Sequence, residues 1–173
     1  MNPPLELDEL PALQGRAWVL GDGVTTEQIL SPAQAGSSGA SVFSTVDPTL
    51  TERLKPGDFI VAGTDFGHGQ HTATAARALR STGVAAVIAR SFGHEFLQAA
   101  LDIGLPPLIV EETGAIKRGD RLRVDIEGHK VANLSSGDRY VIRNLYDDTL
   151  DVLRAGGRAR YDALRGRAGL SAK

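Results

Sequence analysis

The sequence predicts an α/β domain in which a mixed β-sheet is flanked by helices. Two continuous apolar runs, Phe59–Ala62 and Val84–Ala89, enclose a helical pattern, and a second helical pattern leads into a third run, Leu108–Val110. Downstream, residues 120–132 alternate Leu122, Val124 and Ile126 with charged side chains. Unbroken apolar runs suit parallel strands covered on both faces, whereas alternation suits antiparallel strands with one face in water.

The 173 residues fit one domain, long enough to bury roughly two-thirds of the surface an unfolded chain exposes. A net charge of -2 gives no electrostatic footprint for nucleic acid. There is no cysteine, so the chain offers neither a disulfide nor a thiolate for zinc or an iron–sulfur cluster. The first residues are acidic and proline-rich without a basic leader region, and no apolar run reaches membrane-spanning length. The expectation is a cytoplasmic, non-membrane protein.

In chain order, residues 1–14 read as an irregular arm, 15–157 as the folded body and 158–173 as a basic tail with little apolar periodicity. Arg16–Leu20 is a short strand ended by Gly21, Asp22 and Gly23. Residues 31–44 are rich in Ser, Gly and Ala, the composition of a mobile surface loop, either lid or connector. A turn at 55–58 precedes the Phe59–Ala62 strand. His71–Arg80 carries alanines and Leu79 at helical spacing and stops near Gly83, giving a βαβ unit with the next strand. Phe92, Phe96, Ala99, Ala100 and Ile103 form one helical stripe closed by Gly104 and Pro106. The alternating segment turns at Glu127-Gly128 as a hairpin, and Leu145–Ala155 is an amphipathic helix ending at Gly156-Gly157.

Gly67-His68-Gly69 follows a strand and precedes a helix, so helix N-terminal amides face the loop mouth and favour an anion there. The end of a parallel strand is where open α/β sheets bind ligands. Loop, helix, VIARSF strand and IGLP helix end, over residues 62–106, resemble the swivelling domain of the aconitase superfamily, in particular the small subunits of isopropylmalate dehydratases. The segment Gly21–Ile29 resembles the family's early loop more loosely. The resemblance implies a three-layer β/β/α swivelling domain. It also implies a large aconitase-like partner carrying a 4Fe–4S cluster, no cofactor held by this chain, and a hydroxy-carboxylate substrate.

In the family, the glycine loop continues Ser-Ser-Arg-Glu, where the first serine is the catalytic base and the next serine and arginine grip a substrate carboxylate. Here those positions are Gln70, His71, Thr72 and Ala73. A glutamine amide accepts no proton at neutral pH, and threonine does not replace a bidentate guanidinium. Histidine transfers protons near pH 7, so His71 and His68 are the candidate catalytic residues. Gly67, Gly69, Gln70, Thr72, Thr25 and Thr26 are the candidate substrate-binding residues. An alternative stays open, in which Gln70 or Thr72 merely caps the helix and the loop only binds.

Other groups are less specific. Arg90 and Ser91 end a strand at the same edge as the glycine loop, where a cation attracts an acidic ligand or pairs with a partner chain. Glu95 suits a helix N-terminus, and His94 reads as a surface residue. The four histidines lack metal-ligand spacing, and His129 sits in a hairpin turn, so no metal site is expected. Arg139, Tyr140, Arg143, Asn144 and Tyr146 form a polar-aromatic cluster that suits either a partner surface or a solvated strand end.

Together these features point to the small subunit of a heteromeric hydro-lyase with an altered substrate. The rivals are a catalytically inactive binding or regulatory subunit of the same fold, and a domain that binds a carboxylate alone.

Overall fold

The computed structural model describes residues 6–30, 42–43 and 46–171. Its elements are β1 (Leu13–Val19), α1 (Thr26–Ile29), α2 (Pro48–Arg53), β2 (Phe59–Val61), α3 (Thr72–Ser81), β3 (Ala86–Ala89) and α4 (His94–Ile103). Then come β4 (Pro107–Ile109), β5 (Arg121–Asp125), β6 (Lys130–Asn133), β7 (Arg139–Val141), α5 (Asp147–Ala155) and α6 (Arg158–Ser171). The strands form one mixed sheet in the order β4-β3-β2-β1-β5-β6-β7.

Strand β1 is the seam between two kinds of sheet. Ala17, Trp18 and Val19 pair in parallel with Phe59, Ile60 and Val61, while Leu13 to Arg16 pair antiparallel with Val124 to Arg121. β2, β3 and β4 continue the parallel half, and β5, β6 and β7 the antiparallel half. The expected contrast holds: β2 and β3 are buried at every position, whereas β5 alternates, with Leu122 and Val124 buried and Arg121 and Arg123 exposed.

Because successive strand residues point to opposite faces, the sheet sorts its apolar side chains into two cores. Ala17, Phe59, Val61, Ala86 and Ile88 join the core shared with β5, β6, β7 and α5. Trp18, Ile60, Val87 and Ala89 join the other, with Leu79 of α3 and Phe96 and Ala100 of α4. The second core supports the ends of β1, β2 and β3 from which the functional loops leave.

Three features differ from the sequence reading. β1 begins at Leu13, inside the stretch read as an arm, and Leu7 and Leu10 pack on the core. Gly15 disguises that start, yet a Cβ there would lie 2.1 Å from the Gly57 carbonyl oxygen, so only glycine permits the crossing. Residues 158–171 form α6, held by Tyr161, which is 9% exposed, with Leu164 packed beside it. The cluster at Arg139–Tyr146 contains β7, whose Tyr140 turns into the core between exposed Arg139 and Val141. Asn144 there closes the opposite sheet edge: the Ile109 amide donates to its Oδ1 at 2.9 Å, and its Nδ2 donates to the Pro107 carbonyl at 2.8 Å. The loop expected at 31–44 lies outside the described residues except for Val42 and Phe43, which are buried.

Two polar groups away from the loops anchor internal hydrogen-bond sets. Asp58, 6% exposed, accepts from the Trp18 indole at 2.9 Å and from the Lys55 and Arg16 amides. At the β5–β6 hairpin, Glu127 takes two hydrogen bonds from Arg154 of α5 and one from the Leu10 amide, tying arm, hairpin and helix together. Arg154 holds the Glu127 carboxyl below the usual carboxylate range despite partial burial.

Candidate functional site

Three loops leave the ends of β1, β2 and β3 and are laced together by backbone hydrogen bonds. The Gly23 amide donates to Thr64, Gly67 to Val24 and Thr26 to His68, joining the first loop to the second. Phe66 donates to Ser91 and Gly93 donates back to Phe66, joining the second to the third. Below them Phe66 meets Phe96 edge-to-face at 5.3 Å between centroids, and Phe92 at 6.0 Å. The loops therefore rest on a packed aromatic floor.

The glycine loop is built by close approach. Gly67 has φ +83°, and a Cβ there would fall 2.4 Å from Phe96 Cγ. Gly69 has φ +126°, and a Cβ there would fall 2.5 Å from Thr26 Oγ1. Neither position accepts a side chain without displacement.

A cavity of about 280 Å³ opens between the beginnings of α3 and α4. Gly67, His68, Gly69 and Thr72 form one wall, and Gly93, His94, Glu95 and Phe96 the other. His71 precedes α3 and Gly93 precedes α4, and neither helix carries a side-chain cap. Two ten-residue helices thus present first-turn amides without side-chain partners at one cavity, an arrangement that favours a carboxylate or another anion. Glu95 is the one acidic side chain on the wall, and the two histidines are the groups that can become positive.

His68 is the more constrained loop histidine. Its Nδ1 lies 3.0 Å from the Asp65 carbonyl oxygen and 3.3 Å from the Asp65 carboxylate. Asp65, at φ +57°, is held in turn by its amide, which donates to Ser91 Oγ at 2.7 Å. His71 is exposed at φ +59° and stands outside the cavity lining.

Of the expected substrate-binding residues, Gly67, Gly69 and Thr72 line the cavity, and Gln70 is exposed outside it. Neither Gln70 nor Thr72 caps α3. Thr25 caps α1 reciprocally with Gln28, so its hydroxyl is already engaged. Thr26 is fully buried against Gly69, and its hydroxyl has no hydrogen-bond partner among the described residues. Arg90 lines a separate cavity of about 260 Å³ with Asp22 and Thr113, while Ser91 braces the Asp65 turn. His129 sits at φ +58° in the hairpin turn, and among the described residues no three histidines, aspartates or glutamates are grouped so as to hold a metal ion.

The sequence reading did not place Asp65, His94 or Glu95 at the candidate site, where His94 and Glu95 line the cavity and Asp65 contacts His68. The available signal was topological: α3 and α4 follow adjacent parallel strands, so their N-termini emerge at the same sheet edge.

Residues 33–113 match the family described as the aconitase C-terminal domain. A 3-isopropylmalate dehydratase small subunit 1 from Archaeoglobus fulgidus is 37% identical over 160 residues, covering 89% of this chain and 99% of that protein. This chain belongs to the isopropylmalate dehydratase small-subunit family. A second small subunit of that family, from Aquifex aeolicus, is 36% identical over 86% of the chain and 92% of its own length. The crystal structure of a 3-isopropylmalate dehydratase from Methanocaldococcus jannaschii superposes with a TM-score of 0.88 at 27% identity, covering 94% of this chain and all of that one. The mixed sheet with its flanking helices is therefore the family's fold.

Proposed function

We propose that this chain is the small subunit of a heteromeric hydro-lyase that removes and re-adds water on a hydroxy di- or tricarboxylic acid. Its partner is a large aconitase-like subunit bearing the 4Fe–4S cluster, and the pair works in the cytoplasm. The observation that carries this reading is the cavity between two helix N-termini without side-chain caps, at the strand ends of a chain of this family. Without cysteine the chain does not ligate a cluster, which leaves that task to the partner. Bound there, the cluster supplies a Lewis acid for the substrate hydroxyl.

This chain's own part is to bind and to move a proton. The first-turn amides of α3 and α4 hold a substrate carboxylate, and the loop histidines provide the proton-transfer group in place of the family's serine. With Thr72 where the family has arginine, the bidentate grip is absent, so the preferred substrate differs from isopropylmalate.

The test is to copurify the chain with its large subunit under anaerobic conditions and assay hydroxy- and unsaturated dicarboxylates. Turnover on one of them, with isopropylmalate a poorer substrate, is the expected result. A second reading, a binding subunit without catalysis, draws on Gln70 and His71 standing outside the cavity. A stable complex inert on every compound would establish it.

A further inference from the structure

Both groups that face Nδ1 of His68 are acceptors: the Asp65 carbonyl at 3.0 Å and the Asp65 carboxylate at 3.3 Å. A neutral imidazole carries one proton, and two acceptors around Nδ1 place it on that nitrogen. Nε2 is then the nitrogen with the free lone pair, and no described residue bonds to it. The ring belongs to a residue lining the cavity between α3 and α4, with His94 and Glu95 on the opposite wall. Asp65 is itself fixed by Ser91 Oγ, and the Gly93 backbone packs on His68, where an added Cβ would lie 3.0 Å from its Cα. Among the described residues His71 has no comparable orienting partner.

We propose that His68, through Nε2, is the base of this site, and that Asp65 is the positioning residue that fixes its tautomer and stabilises the imidazolium formed on proton transfer. This rests on the hydro-lyase reading. In the dehydration direction the substrate C–H bond breaks and its proton goes to Nε2. The C–H electron pair becomes the new C=C bond, and the C–O pair leaves with hydroxide, so proton and hydroxide together make up the water lost. The carboxylate faces the ring edge opposite the reacting nitrogen, the geometry by which an acid orients a catalytic imidazole.

Nitrogen-15 NMR of the histidine side chains in the purified chain reads the tautomer directly, with the His68 signal assigned by its loss in His68→Gln. The Nδ1–H form is expected, and an Nε2–H form overturns the positioning role. In the active complex, His68→Ala should lower kcat by about a hundredfold or more, at least tenfold beyond the loss in His71→Ala, while the control His129→Asn keeps full turnover. Asp65→Asn retains the left-handed turn and the backbone acceptor, so it should keep the tautomer and KM but lose about tenfold in kcat. Unchanged kcat in His68→Ala overturns the base assignment, and unchanged kcat in Asp65→Asn overturns the carboxylate's part in it. A wild-type complex inert on every substrate, with the Nδ1–H form present, overturns the hydro-lyase reading and the base with it, while the Asp65–His68 geometry stands.

Discussion

The hairpin half of the sheet and the loops at the ends of β1, β2 and β3 treat their polar groups differently. Around β5, β6 and α5 the partly buried carboxylates are matched internally: Arg154 grips Glu127 and Asp151, and Asn133 donates to Asp120. At the ends of β1, β2 and β3, the uncapped starts of α3 and α4 converge on one cavity, and Thr26 holds the one buried side-chain polar atom without a partner among the described residues. Internal pairing stabilises a fold but leaves nothing for a ligand. Unspent polar groups cost stability and are retained where a ligand or partner completes them.

The largest effect that separates the halves is expected from Gly67→Ala, which combines a positive φ with overlap on Phe96. Denaturant unfolding should show a loss of about 3 kcal/mol, with turnover of the complex lost as well. Intact turnover would mean that the glycine loop does not shape the site.

The converse variant is Glu127→Gln in the hairpin, expected to cost about 2 kcal/mol by weakening hydrogen bonds to a charged partner while leaving turnover as it was. The same residue gives a pH signature. Its folded-state carboxyl lies below the usual range because Arg154 donates to it, so its contribution is present above the unfolded value, about 4.3, and is lost as pH falls through the folded one. Asp120 adds in the same direction, with Asn133 as its main donor. Urea midpoints measured between neutral pH and pH 3 should fall, and Glu127→Gln should flatten the curve.

Thr26→Val sharpens the contrast by exchanging an unsatisfied hydroxyl for a methyl group of like size. A gain of about 1 kcal/mol in unfolding free energy is expected, and a loss would reveal a partner for the hydroxyl. The smallest effect belongs to Glu95→Gln, which removes the one acidic wall group of the cavity. KM for a dicarboxylate should fall about threefold, the size of a single screened charge at a half-open site.

How far these halves could be read in advance depended on pattern. Phe59–Val61 and Ala86–Ala89 announce themselves because both faces are covered, and Gly104 and Gly156 mark helix ends that they do cap, both in left-handed conformation. Leu13 was obscured by the Gly15 that its crossing requires, and β7 by exposed Arg139 and Val141 around a single inward Tyr140. Helix α6 has a narrow apolar footprint at Tyr161 and Leu164, too small to set a period. The glycine loop was legible as a candidate site, but the second wall of its cavity was not. His94 and Glu95 join it only because β2 and β3 are neighbours, and Asp65 enters through a turn whose geometry no motif announces.

Hydrogen exchange of the chain, free and bound to its large subunit, tests the division of labour most directly. Added protection should fall on the loops and helix starts at 62–72 and 90–96, with the hairpin at 121–133 unchanged. Protection confined to the hairpin, with the glycine loop exchanging as before, would contradict it and place the docking face on the internally paired half.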